Sequence, residues 1–141
     1  MSVSSDLDKA FEKKVTQAIS DGMTAAVIEL NSNLALETPV DTGAAHWNWI
    51  PSIGLPSGDI VASRGEVSSA AGSGSAQRAE TVLTGYNVLM DGDIWISNNL
   101  PYIGELNNGS SQQADAGFVD ALVSNTGEKI KTLVRLKNER S

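Results

Sequence analysis

The sequence predicts an α+β domain, with long N-terminal and C-terminal helices packed on a small, mainly antiparallel β-sheet. Three observations predict it. A helical apolar stripe runs through the first part of the chain, and a second returns near its end. Between them lie short β-branched and aromatic runs set off by Pro, Gly and Asn.

The first stripe is Leu7, Phe11, Val15, Ile19, Met23, Val27, Leu30 and Leu34, spaced by three or four, which predicts a helix over 4–36. Ser4 and Ser5 are N-cap candidates, Asp6 and Asp8 suit the positive end of the helix dipole, and Pro39 stops the run. Gly22 is the weak point inside, costing about 1 kcal/mol relative to Ala. Unbroken, such a helix is roughly 50 Å long at 1.5 Å per residue. A compact chain of this size has a diameter of roughly 37 Å. The helix must therefore break near Gly22 or Asn31, or protrude and need a partner.

Next, residues 46–50 (His-Trp-Asn-Trp-Ile) alternate and predict a strand with Trp47 and Trp49 on one face. Residues 59–63 predict a second short strand. Residues 63–75 are dominated by Ser, Gly and Ala, which predicts a flexible loop. A short helix is expected over 76–90, ending near Gly85 or Asp91-Gly92. Residues 93–98 are the clearest strand, with Ile94 and Ile96 facing inward and Trp95 opposite. Asn98 and Asn99 are suited to fix the turn into Pro101 through local backbone bonds. Residues 101–106 predict one or two helical turns ending at Asn108-Gly109, and 110–113 a polar loop. From about Asp115 the helical period returns through Phe118, Leu122, Thr126, Ile130, Leu133 and Val134.

The 141 residues read as one domain spanning 1–141, without internal repeats. No apolar run reaches the roughly 20 residues of a membrane span, and residues 1–9 lack the apolar stretch of a secretory leader. With no Cys, thiolate chemistry, thiolate metal sites and disulfides are excluded. A net charge of −7 argues against a broad phosphate-gripping face.

Neither a catalytic, a cofactor nor a metal site is expected. His46 is the single histidine and has no carboxylate one helical turn away, so it reads as part of a sheet face. A triad from His46, Asp41 and a serine lacks any nucleophile elbow, because Gly72-Ser73-Gly74 has no strand leading into it. That same segment lacks the third glycine of a dinucleotide turn, and Asp91-Gly92-Asp93 supplies too few ligands for calcium. Trp47, Trp49 and Trp95 read as core or interface anchors, since base stacking comes with a positive groove.

Two stretches carry a family resemblance. Thr38-Pro39-Val40-Asp41-Thr42-Gly43, after a long helix and before Trp47-Asn48-Trp49, resembles the first signature of the neck, or tail-completion, proteins of tailed bacteriophages. The second is more specific. It comprises Gly85-Tyr86, then the run from Ile94 through Ser97-Asn98-Asn99-Leu100-Pro101-Tyr102, then Leu106-Asn107-Asn108-Gly109-Ser110-Ser111-Gln112-Gln113-Ala114 and Gly117-Phe118-Val119. His46 and Asp115 depart from the family pattern, which often has a basic residue and Pro there.

The resemblance implies a structural subunit of the head-to-tail connector ring of a virion, assembled in the bacterial cytoplasm. It would touch itself in a homo-oligomeric ring of six, with twelve as the alternative, and the neighbouring portal or adaptor and tail proteins. DNA would pass through the channel without specific binding, past a surface richer in acids than in bases. Trp47, Trp49, Trp95, Asn98, Asn99, Pro101 and Tyr102 are the expected interface or structural residues. Adaptor, stopper and tail terminator stay open. The rival readings are a small nucleic-acid-binding protein using exposed tryptophans and, more remotely, a hydrolase.

Overall fold

A computed structural model of the chain describes residues 3–39, 45–61, 68–109 and 115–139. It is α+β. Helix α1 (Val3–Glu37) is followed by a single 3-10 turn (Ala45–Trp47), strand β1 (Ile50–Ile53) and helix α2 (Ser68–Leu83). Strand β2 (Ile94–Ser97), the short helix α3 (Ile103–Asn107) and helix α4 (Phe118–Glu139) complete the order.

Helix α1 does not break. Its 35 residues are continuous through Gly22 and Asn31, and residues 3–14 are exposed except for the half-buried Ser5. Gly22 is where α4 crosses: a Cβ there would run into Leu133 Cδ2. The residue that costs helix propensity is the one that lets two helices approach. Lys129 of α4 reaches Glu29 of α1 at 3.0 Å, so the two helices run antiparallel.

Strands β1 and β2 pair antiparallel with Ile50 opposite Ser97 and Ile53 opposite Ile94. The Gly54 N–H donates to the Asp93 carbonyl at 2.7 Å, extending the ladder. Alternation from that bond puts Pro51 and Ile96 at a non-hydrogen-bonded pair, where the missing proline N–H costs no ladder bond. Ile94 and Ile96 pack on the core while Trp95 is 41% exposed, the facing expected from the two-residue period.

Two joined apolar clusters form the core. One holds Leu30, Leu34, Ala35, Trp47 and Trp49, with Ile96, Ile103, Val119 and Leu122 against it. The other holds Val27, Leu83 and Tyr86.

Several expectations need correction. The predicted strand at 46–50 is a 3-10 turn over Ala45–Trp47, and β1 begins only at Ile50. Trp47 and Trp49 therefore do not share a strand face; both are buried in the core. With the turn in place, both indoles join one apolar cluster with Leu30 and Leu34, and Arg78 donates to the carbonyls of both tryptophans. Residues 59–61 are not a strand. Of the predicted loop at 63–75, residues 68–75 are the first half of α2. The helix expected over 76–90 is the second half of α2 and ends at Leu83. Residues 40–44, 62–67 and 110–114 lie outside the described residues, and with them parts of both signatures and the 110–113 loop.

Small residues in α2 serve close packing. A Cβ on Gly74 would stand 2.8 Å from Trp47 Cζ3, Ser75 is buried, and Ala79 is fully buried. Larger side chains would hold α2 away from α1, its most extensive neighbour.

Candidate functional site

The buried joint between α1, α2 and the tryptophan segment is polar. Asn31 is fully buried, and its Nδ2 donates to Ser75 Oγ at 2.6 Å and to the Ser75 carbonyl at 2.9 Å, with the Trp49 carbonyl at 3.4 Å. Ser75 Oγ donates back to the Asn31 carbonyl at 3.1 Å. Three acceptors around Nδ2 fix the amide orientation. Arg78 Nη1 donates to the carbonyls of Trp47 and Trp49 at 2.9 and 3.1 Å. The Trp49 indole donates to Thr38 Oγ1 at 2.8 Å, and that hydroxyl donates to the Leu34 carbonyl. Asn48 pairs with both backbone groups of Val61, accepting at 2.7 Å and donating at 2.9 Å, as a neighbouring strand would.

These bonds are amide, hydroxyl and guanidinium contacts to backbone, and they fix loops. Thr38 and Trp49 belong to the first signature, so that signature is partly a lock between the end of α1 and the following segment. Sequence reading missed Asn31, Asn48, Ser75 and Arg78. A polar residue at a core position of a helical stripe, as Asn31 is between Val27 and Leu34, was the available signal.

Within the described part of the second signature, Asn98, Asn99 and Asn107 brace a corner that runs from β2 through α3 to the start of α4. Asn98 Nδ2 donates to the Ala45 carbonyl at 3.0 Å and its Oδ1 accepts from Leu100 N at 3.3 Å. Asn99 Nδ2 donates to the carbonyls of Ser57 and Asp59 at 2.7 and 3.0 Å. Asn98 thus fixes the local turn as expected, whereas Asn99 braces a distant loop. Pro101 is exposed and Tyr102 half-buried in the turn before α3. Asn107 Oδ1 accepts from Val119 N at 3.0 Å, satisfying one of the open N–H groups at the start of α4, and its Nδ2 donates to Asp120. On the other side of β2, Tyr86 donates to the Gly92 carbonyl at 3.0 Å, and Ser20 Oγ accepts from Val88 N. Burial first, then the charges of Asp91 and Asp93, push the Tyr86 phenol above its ordinary value of 10.0.

Beside this corner an open cleft of about 670 Å³ lies between α1, α4 and β2. Met23, Val27, Ile94, Trp95, Val123 and Ile130 supply its apolar walls, and Asp93 stands at its β2 end. Trp95 holds its position through a bond from Nε1 to the Gly54 carbonyl at 3.2 Å. Of the three tryptophans, Trp95 alone is presented to the outside.

Among the described residues no group of three or more His, Asp or Glu side chains is placed to hold a metal ion. No helix there is long and apolar enough to cross a membrane. An apolar cleft rimmed by an aromatic ring is suited to receive another apolar surface. Compared with known protein families, curated proteins and solved structures, the chain matches none of them.

Proposed function

We propose that the chain is a structural, non-catalytic ring subunit of the head-to-tail connector of a tailed bacteriophage. One observation carries the reading. In the described part of the more specific signature, Asn98, Asn99 and Asn107 brace a corner, and Trp95 of β2 faces outward beside an apolar cleft. Such a corner presents a surface on which a partner can dock. Its partners are copies of itself and the portal-side and tail-side proteins, and its place is the virion. The acidic balance suits a channel past which duplex DNA slides, because carboxylates repel the phosphates that Lys and Arg would hold.

The nucleic-acid-binding alternative is less well supported. Trp47 and Trp49 are buried, which leaves one exposed indole and no series of stacking platforms.

The test is to locate the chain by cryo-electron microscopy in particles, and to score particles assembled without it. Full heads and free tails that fail to join are expected. Joined, infectious particles lacking the chain would overturn the proposal. A shift of duplex or single-stranded DNA mobility at about 0.15 M salt would favour the nucleic-acid reading instead.

A further inference from the structure

Glu29 lies beside Lys129, and Gly22 lies under Leu133. Continuing that antiparallel register at about 1.5 Å per residue sets the end of α4 near residues 16–19 of α1. Residues 3–15 of α1 therefore project past the last described turn of α4, an overhang of about 20 Å. Residues 3–14 are all exposed except the half-buried Ser5. Val3, Leu7 and Phe11 nonetheless sit four apart on one face, 75%, 64% and 49% exposed.

We infer that this overhang docks into the apolar cleft of a second copy of the same chain. Both surfaces are apolar and uncovered, they lie at different places on one molecule, and their dimensions agree. Val3 to Phe11 spans about 12 Å of helix, and the cleft wall from Val123 to Ile130 spans about 10 Å. Charge also favours a copy as the occupant. Against a net −7 that sets whole copies repelling each other, Asp6, Asp8 and Glu12 are balanced in the overhang by Lys9, Lys13 and Lys14. Lys14 continues the stripe three residues beyond Phe11, and Asp93 stands at the β2 end of the cleft to receive it. The mode is an amphipathic helix laid in a groove, with Trp95 as the aromatic wall. Each chain gives one overhang and receives one, a contact between two different surfaces of the kind that builds a ring where its rotation closes.

This deepens the ring reading above, and rests on it only for where the assembly sits. The absence of cysteine makes the test clean. Purified Leu7→Cys and Val123→Cys chains are mixed and oxidised, and association of the wild-type chain is followed by sedimentation at high micromolar concentration. A mixed 7–123 disulfide between chains is expected. The exposed pair Leu7→Ser with Phe11→Ser should weaken association at least tenfold while leaving Tm unchanged, which separates docking from folding. A monomeric wild-type chain, a 7–7 disulfide in place of the mixed one, or an oligomer indifferent to the serine pair would overturn the inference. A mixed disulfide in a protein that no particle contains would remove the neck assignment and leave this contact. A chain located in a neck without the 7–123 contact would remove this contact alone.

Discussion

Helix α1 has two halves that treat apolar and polar residues in opposite ways. From Ser20 to Ala35 it buries Ser20, Val27, Leu30, Asn31, Leu34 and Ala35. Two of those six are polar, and each is bonded across to another segment. From Val3 to Ile19 it buries nothing, yet Val3, Leu7 and Phe11 are large, apolar and exposed. In the inner half, hydrogen bonds between small polar groups set how α2 and the tryptophan segment sit on α1. In the outer half, apolar surface stays uncovered, which a monomer gains nothing from. The inner half specifies the fold, and the outer half, with Val3, Leu7 and Phe11 exposed, adds little to it.

The largest expected effect lies inside. Trp49→Ala should lower stability by about 3–5 kcal/mol, since it empties a core site and removes the donor to Thr38. Trp95→Ala, on the outside, should cost under about 1 kcal/mol by the same urea unfolding. Equal costs would break the contrast. Asn31→Ala should cost about 1–2 kcal/mol, because the Ser75 hydroxyl and carbonyl lose a buried donor, while the Trp49 carbonyl keeps Arg78. A neutral result would mean the polar joint is dispensable.

Tyr86→Phe should cost about 1 kcal/mol through the bond to Gly92. It also has a pH signature. A phenol pushed above 10.0 in the fold stabilises fully at pH below that value, and its contribution is lost as pH rises through the raised one. The wild-type chain should weaken with alkali above about pH 10, and Tyr86→Phe should flatten that slope. The smallest effect is at the overhang. Leu7→Ser or Phe11→Ser should change unfolding free energy by no more than about 0.5 kcal/mol. A larger loss would show that the overhang is part of the monomer's core.

Much of this fold is legible in the residues. The α1 stripe predicts 4–36 and the helix is Val3–Glu37; the Ile94–Ser97 strand and its inward isoleucines follow from alternation. The first half of helix α2 is not legible, because the residues around Gly74 and Ser75 have the composition of a linker. Their small size is used for contact with Trp47 and Asn31, and that contact is absent from any local window. The Trp47–Trp49 segment fails for a related reason. Alternation suggests a strand, but burial of both indoles in one cluster and the Arg78 bonds to their carbonyls favour a turn. Of the candidate site, Trp95 and Asn98 were readable from the strand and turn they sit in. The cleft was not, since its walls come from α1, α4 and β2, each distant from the others in sequence.

The unbroken course of α1 also constrains how such a chain can change in length. Eleven residues separate Phe11 from Gly22, which is about three full turns, so the exposed stripe keeps a fixed angular phase to the face that α4 grips. Adding or deleting one residue between Phe11 and Val15 would swing the stripe by about 100° and leave the contacts from Ser20 onward in place. Insertion of seven or eleven would shift it by only about 20°. Length variation in this stretch should therefore come in those steps, a reading frame of geometry imposed on a surface that the single chain leaves exposed.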